Sequence, residues 1–209
     1  MNDDKIEKLW KWFSSNERQI INCIEKESSS ELDYIVEHLD NLILDLGVFY
    51  WEIGPSMKKS WYLTISPNGD KDLMKKSKKL IASAPDLVEW EFNFCKPAKD
   101  WDRKFMIYDD NNIEQKINAL NWKYVALQNE DGMIEIILEA KNIGHLDSDT
   151  ARTAADLVVL TEIGEEAKIL NIRSIDIVDQ LESAHDLRKA EIKYLRKHVD
   201  EFRTLPNKG

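Results

Sequence analysis

The order of elements between Val48 and Cys95 constrains this chain most, because the same order returns between Tyr124 and Asp179. Phe49, Trp51 and Ile53 alternate with Tyr50 and Glu52, and Trp61, Leu63 and Ile65 alternate with Tyr62 and Thr64. That is the period-two pattern of strands covered on one face. The Gly54–Ser60 stretch between them predicts an antiparallel hairpin. Pro67-Asn68-Gly69 ends the second strand, and Asp70 is placed to cap a helix carrying Leu73, Ser77, Leu80, Ile81 and Ala84 on one side. Pro85 stops that helix, and Trp90, Phe92 and Phe94 alternate again as a third strand.

In the second half, Trp122–Leu127 and Met133–Leu138 flank Asp131-Gly132, a pair suited to a two-residue type I′ turn in which both central residues take positive φ. A polar loop from Lys141 to Asp149 leads to a helix over Thr150–Ile163, closed by Gly164, and the last strand is read over Ile169–Val178. Further strands are expected at Lys104–Tyr108 and around Ile113–Ile117. The fold class is therefore α+β: two tandem ββαβ modules, ferredoxin-like or split, with antiparallel sheets. The organisation read from the chain is N-terminal helices over 1–47, a first module over 48–103, a second over 104–179, and a C-terminal helix and tail over 180–209.

The flanking segments read as helical. Ile6, Leu9, Trp10 and Phe13 have helical spacing, and Ser14-Ser15 suggests a break before Ile20, Ile21 and Ile24. Ser28–Ser30 followed by Glu31 predicts a capped helix whose face is Ile35, Val36, Leu39, Leu42, Ile43 and Leu46, ending at Gly47. From Gln180 to Phe202 one long charged helix is expected. Its seam of Ile192, Leu195, Val199 and Phe202 suits packing on the N-terminal helix or on a second subunit, making a homo-oligomer through this helix possible.

Charge narrows the function classes. The formal net charge is −10, and residues 105–182 hold 6 basic against 16 acidic side chains while 56–104 hold 11 against 7. Nucleic-acid binding is disfavoured, since phosphate contacts need basic surface. Two cysteines, Cys23 and Cys95, make no disulfide framework, and with four scattered histidines they make no zinc motif. No signal peptide or apolar run long enough for a membrane span is read, which places the chain in the cytoplasm with no membrane partner. A nucleophile elbow, a phosphate-cradling glycine loop and a HExxH helix are all absent from the sequence, so no catalytic residue, cofactor or metal is assigned.

Trp51-Glu52-Ile53-Gly54-Pro55, Leu63-Thr64-Ile65-Ser66-Pro67-Asn68-Gly69, Ala84-Pro85-Asp86-Leu87 and Trp90-Glu91-Phe92 resemble a pattern in a family of small bacterial cytosolic proteins of unknown function. The resemblance covers residues 48–95, and Leu160–Glu165 more weakly. A distant similarity to the ribonuclease E inhibitor B type of α/β module goes with it. It implies a fold rather than a site, because the matched positions are mostly apolar, Gly or Pro.

The candidate residues are accordingly those of a binding surface. Trp101 and Arg103 lie in a polar loop and are types enriched at interface anchors. Glu135, Glu139, Asp147 and Asp149 belong to the acidic block, and Lys75, Lys76 and Lys79 form a lysine face suited to an acidic surface. His145 is the one histidine in a setting that suggests acid–base or metal chemistry, among the carboxylates of Gly144–Asp149. Glu162, Glu165, Glu166 and Asp156 are weak evidence for paired catalytic acids. The expected function is a non-enzymatic binder, of the immunity or inhibitor type, that meets another protein's basic surface. The alternative is a small-ligand binder or enzyme using a cleft between the modules, edged by Trp101 and His145.

Overall fold

The computed structural model describes residues 2–26 and 29–204. The chain divides into two compact units, Met1–Lys96 and Pro97–Gly209, and the class is α+β as the alternation predicts. Trp101 and Arg103, which the sequence reading puts at the end of the first module, thus belong to the second unit.

The first unit begins with α1 (Asp3–Lys26) and α2 (Ser29–Leu44). The break expected at Ser14-Ser15 does not occur. Both hydroxyls turn back onto the helix, Ser14 Oγ donating to the Trp10 carbonyl at 2.8 Å and Ser15 Oγ to that of Lys11 at 2.9 Å, so neither competes for a cap. Val36, expected on the apolar face of α2, is exposed. The Ser28 part of the expected cap lies outside the described residues.

A hairpin of β1 (Tyr50–Pro55) and β2 (Trp61–Ser66) follows, then α3 (Lys71–Ala82) and β3 (Trp90–Asn93). Asp70 caps α3 as expected, its Oδ1 accepting the N–H groups of Asp72 and Leu73, both at 2.8 Å. The hairpin is antiparallel, but β3 pairs parallel with β2, placing Trp90 opposite Trp61. The sheet is therefore mixed rather than antiparallel, because the strand after a crossover helix runs the same way as the strand before it. Phe13 of α1 packs edge-on against Trp90 at 4.7 Å, Trp10 against Phe92 at 4.9 Å, and Trp10 Nε1 donates to the Leu80 carbonyl at 3.1 Å. Cys23 and Cys95 are both buried and not joined in a disulfide.

Two polar groups in this core have no partner among the described residues, the Trp90 indole N–H and the hydroxyl of Thr64, a fully buried residue on β2. Thr64→Val keeps the branched shape and removes the desolvated oxygen. It is expected to stabilise the unit by about 1 kcal/mol, seen as a higher urea midpoint; an unchanged or lower midpoint would show that the hydroxyl is satisfied.

The second unit holds a separate hairpin of β4 (Lys104–Tyr108) and β5 (Glu114–Asn118), close to the expected positions. Then come β6 (Lys123–Gln128), β7 (Ile134–Glu139), α4 (Ser148–Ile163), α5 (Glu165–Asn171) and β8 (Ile172–Val178). The connectivity repeats that of the first unit: β6 and β7 are antiparallel, and β8 joins β7 parallel. The two ββαβ sheets stay separate.

Local details differ from the sequence reading. Only Gly132 of the Asp131-Gly132 pair has positive φ, at 84°. Gly132 N–H closes a turn on the Asn129 carbonyl at 2.9 Å, and Asn129 N–H reaches Met133 at 2.8 Å. This is a three-residue loop with glycine at its left-handed position. The strand expected from Ile169 starts at Ile172, because residues 169–171 complete α5.

The expected long helix over 180–202 is broken into a 3₁₀ turn (Ser183–Arg188), a short β9 (Ala190–Glu191), another 3₁₀ turn (Ile192–Tyr194) and α6 (Leu195–Thr204). β9 pairs with β6, Ala190 opposite Tyr124. Tertiary pairing therefore overrides helix propensity where Ser183 and His185 favour it weakly. The seam residues Ile192, Leu195 and Val199 are fully buried in the unit's own core with α4 residues such as Ala155 and Val158. Those three positions are spent within the chain, while Phe202, the fourth seam residue, is only half-buried beside them. The tail beyond Thr204 lies outside the described residues.

Candidate functional site

The acidic block of the second unit sorts into carboxylates that build the fold and carboxylates that face outward. Glu139 belongs to the first group. It is 6% exposed, accepts the Leu181 N–H at 2.9 Å, and pairs with Lys189 at 3.2 Å. The Leu181 hydrogen bond, with Lys189 adding, holds its carboxyl below the usual range. It anchors the segment after β8 and is not part of a surface, contrary to the sequence reading. Glu135 is half-buried and accepts from Asn129 Nδ2 at 2.9 Å, bracing the β6–β7 loop.

Trp101 and Arg103 also turn inward. Trp101 Nε1 donates to Glu162 Oε1 at 3.0 Å, and Arg103 Nη2 donates to Oε2 at 3.2 Å. Arg103 Nε sits 2.8 Å from Oε1 but off its N–H axis, so that contact is ionic rather than a hydrogen bond. With the side chains only 17% and 5% exposed, this is a buried ion pair. Arg103 holds a left-handed φ of 62° there. Trp101 packs on Phe105 at 5.7 Å between ring centres. Both residues fasten the entry segment onto α4 instead of standing out as recognition anchors, and Glu162 is a structural acid.

A different set of carboxylates comes from three separate segments: the β4–β5 turn, the loop before α4 and the residue after β8. Asp147 caps α4: Oδ1 accepts from the N–H groups of Asp149 and Thr150 at 2.9 and 2.8 Å, and Oδ2 from Thr150 Oγ1 at 2.6 Å. Those bonds, the Thr150 hydroxyl first, hold the Asp147 carboxyl below the ordinary range. Asp109, in the β4–β5 turn, is lowered chiefly by the Ile113 N–H, then by Gln115 and Asn111, and the charge of Asp147 is close enough to oppose this. Asp179, leaving β8, sits beside the loop at Gly144, where a Cβ would lie 3.9 Å from its Oδ1. Asp110 and Asp149 are exposed next to these, Asp149 with a loose pair to Arg152 at 3.7 Å. Tyr108 and Ile113, 65% and 56% exposed, flank the same turn.

The sequence reading picked Asp147 and Asp149 from this set and missed Asp109, Asp110 and Asp179. The run Asp109-Asp110-Asn111-Asn112 is a turn signal that marks the first two, but nothing local ties Asp179 to a loop 35 residues earlier. His145 is exposed in the same loop. Among the described residues no group of three or more His, Cys, Asp or Glu side chains is arranged to hold a metal ion.

In the first unit, the lysine face of α3 is largely engaged. Lys75 pairs with Asp72 at 2.9 Å, Lys79 with Asp3 at 2.8 Å, and Lys78 lies over the Phe94 ring at 4.9 Å. Solvent and salt screen exposed pairs of this kind, so they add little to stability. Lys76 is exposed beside them. No helix among the described residues is long and apolar enough to cross a membrane. No protein-family model, curated protein or solved structure matches the chain.

Proposed function

We propose that this is a non-enzymatic protein-binding protein, of the immunity or inhibitor type, whose second unit presents this acidic set to a basic partner. The observation that supports this most is the convergence of Asp109, Asp147 and Asp179 from three chain segments. Two of the three are held by hydrogen bonds that lower their carboxyls below the ordinary range, chiefly the Ile113 N–H at Asp109 and the Thr150 hydroxyl at Asp147. Fixed charges need no reordering on encounter, so they steer association and set register efficiently. Tyr108 and Ile113 add exposed apolar area at the same turn, the mixture that binding surfaces use.

The test is a pull-down with the full chain from lysate of its own cells at low and high salt, followed by affinity measurement on the partner identified. Asp110→Lys and Asp149→Lys are the informative variants, since neither caps a helix nor closes a turn. A basic, stoichiometric partner lost at high salt, with affinity lowered about fivefold by each reversal, is the expected result. A partner indifferent to salt and to both reversals would remove the acidic set from the interface.

A further inference from the structure

The strand β6 is only partly covered on the side away from β7. The β9 ladder covers it at Lys123 and Tyr124 and then stops, because the chain before Ala190 turns off into the 3₁₀ segment. Alternate residues of a strand point their main-chain groups to opposite sides. Trp122 accepts from Ile192 on the β9 side, and Asn129 donates to Met133 on the β7 side. Ala126 and Gln128 therefore aim an N–H and a C=O each at the uncovered side, with no ladder partner there among the described residues.

This open edge lines a groove of about 460 Å³. Ala126, Leu127 and Phe202 give it apolar surface, α6 supplies its wall through His198 and Glu201, and Arg188 stands on its rim. The floor is fixed, with Tyr124 Oη 2.5 Å from His198 Nδ1 and His198 stacked on Tyr194. Glu201 is accompanied by Lys197 at 3.7 Å. Arg188 is exposed and has no ion pair among the described residues.

We infer that this groove is a peptide-binding site in which an extended segment of a partner protein adds as a strand to β6 beyond β9. An Asp or Glu side chain of that segment meets Arg188. Strand addition supplies affinity through main-chain hydrogen bonds, and flanking side-chain contacts supply selectivity. The exposed guanidinium, without an ion pair among the described residues, selects the acidic class, since it donates two parallel N–H bonds to a carboxylate. This surface is separate from the acidic set and calls for a ligand of opposite charge, so either can fail without the other.

The experiment is selection of a random decapeptide library displayed on phage against the full chain. The most enriched sequence is then synthesised with acetylated and amidated ends. Expected are β-branched or aromatic residues at alternate positions with an Asp or Glu. The blocked peptide should bind, slow hydrogen exchange at the Ala126 and Gln128 amides, and lose about tenfold in affinity to Arg188→Glu. Gln128→Pro, which deletes an outward N–H and leaves the β7 ladder untouched, should also weaken binding while circular dichroism stays unchanged. No enrichment, binding that leaves those amides unprotected, indifference to Arg188→Glu, or a requirement for a free C-terminal carboxylate would each overturn the inference.

Discussion

Glu162→Ala is expected to destabilise the second unit by about 3–5 kcal/mol, the usual consequence of stranding one charge of a buried pair. The acid is 5% exposed and holds Arg103 and Trp101 together, so its loss leaves a guanidinium in a dry site and an indole N–H without an acceptor. The exposed pairs on α3 serve as the internal comparison. Lys75→Ala should leave the urea midpoint essentially unchanged, although its 2.9 Å distance to Asp72 nearly matches the 2.8 Å Arg103–Glu162 contact. Urea unfolding, with hydrogen exchange to assign each transition to a unit, separates the two cases. Arg103→Met with Glu162→Leu should recover most of the loss, because an apolar pair of similar volume carries no desolvation penalty. A Glu162→Ala midpoint equal to wild type would mean that water reaches this pair.

Glu139→Ala is the second large effect, about 2–3 kcal/mol from a charge-assisted hydrogen bond to Leu181 and the contact with Lys189. It carries a pH signature. The folded carboxyl titrates below its unfolded value of 4.5, so its contribution is complete above about pH 5 and is lost as pH falls through the lower folded pKa. Wild type should therefore lose stability on acidification more steeply than Glu139→Gln, which keeps an acceptor for Leu181 but has no proton to take up. Guanidinium melts at pH 7 and pH 4 measure this difference. Parallel losses in the two proteins would place the acid sensitivity in other carboxylates.

The consequence for function is a division of labour among acids that look equivalent in the sequence. Glu139 and Glu162 are bound inside and shape the unit, whereas Asp110 and Asp149 face water. Reversing all of them together would confuse unfolding with loss of binding. Substitution at the exposed pair alone keeps the two questions apart.

How much was legible follows from the range of the interactions. The alternation of Trp51, Ile53, Leu63 and Ile65, the Asp70 cap and the stop at Gly164 depend on neighbours a few residues away, and the strands and helices stand close to where those patterns put them. The tandem ββαβ order was legible for the same reason. The Ser14-Ser15 break failed because a serine hydroxyl satisfies either a cap or an i−4 carbonyl, and the packing of Phe13 and Ile20 on both sides decides for a continuous helix.

By itself, then, the sequence determined the class, the repeated order of elements and the acidity of the second half, since periodicity, turn residues and charge are local or additive properties. Only the tertiary structure decided that β3 and β8 run parallel to their neighbours and that the C-terminal segment yields two residues to β6. It alone decided that Arg103 meets Glu162 across 59 positions, and that Asp179 joins the loop at Gly144. Those outcomes depend on which distant surfaces bury one another, and a buried charge takes whichever opposite charge the packing brings within reach.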